Sequence, residues 1–142
     1  MSDEGSSGPI AGLDHVQLPI PAGGEDVARA FYGGLLGLTE VAKPAPLADR
    51  GGCWFAGPGV ALHLGVEPEF QPWRKAHVAL LARDLDALRR TLENADILIR
   101  EDDVSIGVRR CYAEDPFGNR LELIDARDGG FTTGSPGSRE EA

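Results

Sequence analysis

No stretch of this 142-residue chain is apolar for long enough to span a bilayer. Its first residues, Met-Ser-Asp-Glu-Gly-Ser-Ser-Gly, have neither the basic start nor the apolar segment of a secretory signal. Positive charge is scarce: 14 Lys and Arg stand against 23 Asp and Glu, a formal net charge of −9. That balance argues against a surface for nucleic acid or anionic lipid. Cysteine is scarcer still, and Cys53 and Cys111 form no close-spaced metal or redox motif. They read as two reduced thiols on strands. What is present is 42% hydrophobic residues, enough for one domain with its own core. The expectation is a soluble, cytoplasmic, single-domain protein.

Residues 1–10 read as a flexible leader and 126–142, rich in Gly, Ser, Thr and charge, as a flexible acidic tail. Between them, Gly12 to Ile20 alternates as a strand, broken by Pro21-Ala22-Gly23-Gly24. Glu25 to Leu36 carries acid in its first turn and apolar residues at helical spacing, with Gly37 as a C-terminal cap. Leu38 to Ala42 reads as a short strand. Gly52 to Ala56 and Val60 to Val66 read as a hairpin joined by Gly57-Pro58-Gly59. After a two-proline linker, Glu67 to Trp73, the order begins again. A strand runs over Ala76 to Ala82, and Asp84 caps a helix striped by Leu85, Leu88 and Leu92. Short strands follow at Ile97 to Arg100 and Val108 to Ala113, separated by the charged Glu101-Asp102-Asp103. Asp115-Pro116-Phe117-Gly118-Asn119 is a tight turn feeding a last strand, Arg120 to Ile124. In that strand Glu122 lies on the face opposite Leu121 and Leu123.

The chain is thus a tandem repeat of strand, helix and three strands. His15 and His77 open the two copies, and His63 and Glu122 close them; 48 residues separate His15 from His63 and 45 separate His77 from Glu122. Cys53 precedes His63 by ten residues and Cys111 precedes Glu122 by eleven, so the penultimate strands align as well. A lone histidine on a strand is usually a packed or surface residue. All three histidines and a carboxylate at repeat-equivalent strand positions point instead to a metal site. Imidazole and carboxylate without thiolate suit Zn, Ni, Co, Mn or Fe.

Four segments carry a family resemblance: Leu13-Asp14-His15-Val16, Phe31-Tyr32-Gly33-Gly34-Leu35-Leu36-Gly37-Leu38, Ala76-His77-Val78, and Asp115 through Leu123. Together they resemble the vicinal oxygen chelate superfamily, the group of glyoxalases, bleomycin-resistance proteins and extradiol dioxygenases, over about residues 11–125. The resemblance implies an α+β fold of two tandem βαβββ modules, about 11–67 and 75–125, forming a half-open mixed β-barrel around a divalent metal. It implies His15, His63, His77 and Glu122 as metal ligands, and commonly a homodimer. Whether the site lies within one chain or across two is open. Pro19 and Glu67 stand where glyoxalase I has the Arg and Asn that grip glutathione, which argues against a glutathione-linked substrate.

Three activities are compatible with these residues. The first is a lyase or isomerase in which the metal acts as a Lewis acid toward substrate oxygens, with Glu122, or else His63, as the proton shuttle. The second is an Fe(II) dioxygenase using His15, His77 and Glu122. The third is a non-catalytic protein holding an antibiotic or other small ligand between Trp54, Trp73 and Tyr112. One of Arg109 and Arg110 points inward if their strand is regular.

Overall fold

The computed structural model describes residues 8–102 and 107–131. Most of the leader, most of the tail and Asp103 of the charged loop lie outside the described residues. Two four-stranded sheets form, one per repeat. The first has the order β1-β4-β3-β2, from β1 (Val16–Ile20), β2 (Thr39–Val41), β3 (Cys53–Gly57) and β4 (Val60–Val66). The second has the order β5-β8-β7-β6, from β5 (Val78–Ala82), β6 (Ile99–Arg100), β7 (Arg110–Glu114) and β8 (Arg120–Asp125). In each sheet the first strand pairs parallel with the last, and the remaining pairs are antiparallel. This is the expected pair of βαβββ modules. Among the described residues no helix is long and apolar enough to cross a membrane.

The registers make the repeat exact to the residue. Gln17 faces His63 as Ala79 faces Glu122; Trp54 faces His63 as Tyr112 faces Glu122; Cys53 faces Leu64 as Cys111 faces Leu123. The alternation works as physics requires: Leu62, Leu64, Leu121 and Leu123 point into the core, each at most 1% exposed, so His63 and Glu122 take the other face. The core is completed by Leu18, Ile20, Phe31, Tyr32 and Phe55 from the first module and Leu85, Leu92 and Ala113 from the second. Full burial of each large apolar side chain contributes roughly 1.5–3 kcal/mol. Cys53 and Cys111 are free and buried, and burial pushes both thiols up to about 11, so neither is a nucleophile at neutral pH.

The helices differ from each other. α2 (Leu85–Asn94) is regular, and Asp84 caps it as expected, accepting from the Ala87 N–H at 3.1 Å. The first helix is α-helical only over α1 (Glu25–Ala28) and continues as a π-helix, Arg29–Leu35. Its end is wide: the Leu36 N–H bonds to the Phe31 carbonyl, five residues back. Gly33 and Gly34 lie in this stretch, where their low helix propensity leaves the regular 3.6-residue turn poorly defended. Gly37 ends it with φ of 77°, the left-handed backbone expected of a cap. His15 and His77 are not in strands as expected but immediately before β1 and β5, and Ala126–Asp128 forms a short 3-10 turn anchored by Arg127 on buried Asp125.

The Asp115–Asn119 turn joins the modules. Asp115 accepts from the Tyr32 hydroxyl of the first module at 2.6 Å and from the backbone N–H groups of Phe117 and Asn119, each at 2.9 Å. The Asn119 side chain, fully buried, donates to the Pro19 carbonyl of β1 and to Asp115, and accepts from the Trp73 N–H at 2.8 Å. Gly118 supplies the positive φ of 95° that closes the turn. Burial, with Asp115 beside it, raises the Tyr32 hydroxyl well above its usual range, so it stays a neutral donor.

Candidate metal centre

His63 is held in place by its strand and by two rings. β4 turns it away from the core, at 8% exposure. Trp54, its register partner on β3, stacks on it at 3.7 Å between ring centroids with 2° between planes. His15 stacks at 4.0 Å and 20°. Two rings stacked on one imidazole occupy its two faces, so His63 is sandwiched and fixed in orientation. Burial, with His15 beside it, lowers its pKa from the ordinary 6.5, which keeps it neutral and able to ligate at neutral pH. The His15 Nδ1 lies 2.8 Å from the Asp14 carboxylate, which accepts from it and leaves Nε2 as the ring's free donor atom.

In the metal-free protein this depression has a consequence for stability. The unfolded chain takes up a proton at His63 near pH 6.5 and the native chain only at lower pH. Native stability therefore falls as pH drops below about 6.5, levelling once native His63 is itself protonated. Denaturant titrations across pH 5–8 should show this slope in the native sequence and lose it in His63→Gln.

The second module builds the matching pair. His77 precedes β5, and its Nδ1 lies 2.8 Å from the Lys75 carbonyl. A carbonyl can only accept, so Nδ1 carries the proton. Nε2 then faces Glu122 Oε1 at 3.0 Å. A neutral ring would direct its lone pair at a carboxylate oxygen, which is repulsive. The contact needs an electrophile between the two atoms: a shared proton, or a cation held by both. The His77–Glu122 pair thus offers one imidazole nitrogen and one carboxylate oxygen within reach of a shared cation.

The structure brings His15 to His63 and His77 to Glu122. It does not gather all four in one chain: among the described residues no group of three or more His, Cys, Asp or Glu could hold a metal. In each pair one histidine stands just before an edge strand, β1 or β5, and its partner lies on the adjoining inner strand, β4 or β8.

The sequence left open which of two adjacent arginines faces inward. Of the two candidate arginines, Arg110 is the inward one, its side chain 10% exposed against 54% for Arg109. It reaches Glu122 Oε2 at 3.4 Å, the Tyr112 hydroxyl at 2.8 Å and Asp102 at 2.8 Å. The signal was the two-residue alternation of Arg110, Tyr112 and Glu114 on β7, whose register with Glu122 becomes visible only when the sheet is assembled. Trp73 packs against the core and is tied through its backbone to the Asp115–Asn119 turn, while Trp54 and Tyr112 serve separate half-sites.

Two βαβββ modules with histidine and carboxylate donors at equivalent strand ends define the vicinal oxygen chelate class. Among solved structures, a glyoxalase family protein from Bacillus anthracis is 42% identical, with a TM-score of 0.78 over 82% of this chain and 95% of that one. The chain belongs to the glyoxalase family of this superfamily. A glyoxalase/dioxygenase from Nostoc punctiforme is 25% identical, with a TM-score of 0.69 over 88% of this chain and 97% of that one. A mutant of the fosfomycin resistance protein FosX from Listeria monocytogenes, complexed with Mn(II) and 1S,2S-dihydroxypropylphosphonic acid, has a TM-score of 0.72 over 94% of this chain and 99% of that one. At 16% identity that likeness is one of fold alone. No protein-family model and no curated protein sequence matches the chain.

Proposed function

We propose that this protein is a divalent-metal-dependent lyase or isomerase of the glyoxalase type. Its cation would be held by His15, His63, His77 and Glu122, the two pairs coming from two copies of the chain in a homodimer. The observation that carries the metal reading is the His77–Glu122 contact, where a proton-bearing Nδ1 leaves Nε2 facing a carboxylate oxygen at 3.0 Å. The division of the ligands into two pairs, one per sheet, with no third donor beside either among the described residues, supports the shared site. When bound, the cation supplies Lewis-acid stabilisation of charge developing on a substrate's carbonyl or paired oxygens.

The chain's own residues supply the rest. Trp54 and Asp14 fix the ring orientations of His63 and His15, and the Lys75 carbonyl fixes that of His77. Glu122 is the base: its carboxylate, 7% exposed on a strand packed by Leu121 and Leu123, can take a proton from a carbon beside the substrate oxygen and return it to the neighbouring one. Mn(II) in the FosX structure is in keeping with a divalent cation in this fold.

Metal analysis of freshly purified protein is expected to give close to one divalent cation per chain, in a dimer by light scattering. Metal-free protein with unimpaired small-ligand binding would favour the binding-protein reading instead. His63→Ala is expected to weaken the cation's affinity. Unchanged affinity, together with oxygen uptake in the presence of catechols, would favour the Fe(II) dioxygenase reading with His15, His77 and Glu122.

A further inference from the structure

The face of β8 that carries Glu122 holds a second charged group, and the proposed chemistry leaves it without a task. Arg120 and Glu122 are two residues apart on the strand and so share a face, and Tyr112 of β7 stands opposite Glu122 in register. Two guanidiniums lie over the Tyr112 ring, that of Arg110 at 5.6 Å from its centre and that of Arg120 at 5.2 Å. Their commitments differ. Arg110 donates to Asp102 at 2.8 Å and to the Tyr112 hydroxyl at 2.8 Å, and reaches Glu122 at 3.4 Å. Arg120 is half-buried, and among the described residues its guanidinium meets neither a carboxylate nor another hydrogen-bond acceptor. Its register partner across the strands, Glu114, lies instead 4.0 Å from Arg74. An arginine at a surface is usually a mobile, solvated chain, but this one is held at both ends. Its backbone N–H donates to the Trp73 carbonyl at 2.8 Å, next to fully buried Asn119, and the Tyr112 ring limits the swing of its head. A guanidinium resting on a ring keeps its N–H edge clear, and that edge matches two oxygens of an oxyanion.

We propose that Arg120 binds the anionic group of the substrate, and that the substrate is a small organic acid carrying a carboxylate or phosphonate. The inference deepens the reading of Glu122 as the base and rests on it. Alternate residues of a strand are roughly 7 Å apart, so an anion held at Arg120 sets a carbon a few bonds away beside Glu122. Glu122 has partners of its own, His77 at Oε1 and Arg110 at Oε2, so Arg120 keeps its charge for the ligand.

The test titrates the metal-free, full-length chain with lactate and with its neutral isostere lactamide, followed by proton–nitrogen NMR that includes the arginine Nε–H signals. Lactate is expected to bind about ten-fold more tightly than lactamide and to shift the Arg120 Nε–H signal. Arg120→Gln should abolish the preference, and Arg120→Lys, a charge without the fork, should restore part of it. The ratio of the two affinities is a readout that a merely structural role for Arg120 would not move. Methylphosphonate in place of lactate tells a phosphonate site from a carboxylate site by which of the two binds more tightly. Equal binding of lactate and lactamide by wild type, or a preference that survives in Arg120→Gln, would overturn the proposal. Should Arg120→Gln fail to fold, the wild-type ratio and the Nε–H shift decide it. No cation is present in this titration, so loss of the metal reading and loss of the anion site are seen separately.

Discussion

Glu122→Gln is expected to lower affinity for Mn(II) or Co(II) by about 100-fold or more while leaving the fold intact. Outer-shell substitutions at metal sites already cost about 10–100-fold, and the proposed function makes Glu122 a ligand itself. Gln is nearly isosteric, so Leu121 and Leu123 on the buried face of β8 stay in place. What is lost is the negative charge opposite His77 Nε2. The same substitution removes the carboxylate proposed as the base, so proton-transfer activity should fall by about 100-fold or more. Isothermal titration with each cation, accompanied by circular dichroism, measures the first effect. Undiminished affinity in a folded variant would remove Glu122 from the site.

The largest effect on stability is expected at Asn119, outside the candidate metal centre. Asn119→Ala strands the Trp73 N–H, which is part-buried, and the Pro19 carbonyl, and takes one donor from Asp115, the last two in buried surroundings. Each buried group left without a partner costs about 1–3 kcal/mol. The total of about 3–5 kcal/mol should lower Tm by roughly 10–15 °C for a domain of this size. Because the turn fastens β1 of one module to β8 of the other, the loss should appear as one cooperative transition at lower denaturant with an unchanged slope. Tyr32→Phe, which removes a single bond to Asp115, should cost about 1 kcal/mol. A change below about 1 kcal/mol in Asn119→Ala would show that the junction is not where the modules are secured.

The architecture could be read from sequence because both modules obey the same alternation. Leu62 and Leu64 flank His63 as Leu121 and Leu123 flank Glu122, and turn residues punctuate each strand. The equivalence of Cys53 and Cys111, inferred from spacing, reappears as identical register against Leu64 and Leu123. The pairing within each half-site comes from the parallel first and last strands, which bring His15 beside His63 and His77 beside Glu122. How the half-sites relate to each other was not accessible, because that depends on packing between sheets, on which periodicity is silent. The π-helix escaped because Phe31, Tyr32 and Leu35 fit a 3.6-residue period as well as a wider one over so short a span. Arg110 escaped because two adjacent arginines on a strand differ only by a register that Asp125 and Asp128 on one side and Asp102 and Glu122 on the other decide.

The central claim, that a second copy completes the metal site, is tested most directly by combining two defective chains. His63→Ala damages the first half-site and Glu122→Gln the second. Co-expressed with different tags and purified as heterodimers, the two chains place both lesions in one shared site and leave the other intact if each site draws one pair from each copy. One cation bound per heterodimer at wild-type affinity is expected, whereas neither homodimer binds at that affinity. Heterodimers as weak as their parents, or a wild-type monomer that binds the cation tightly, would contradict it.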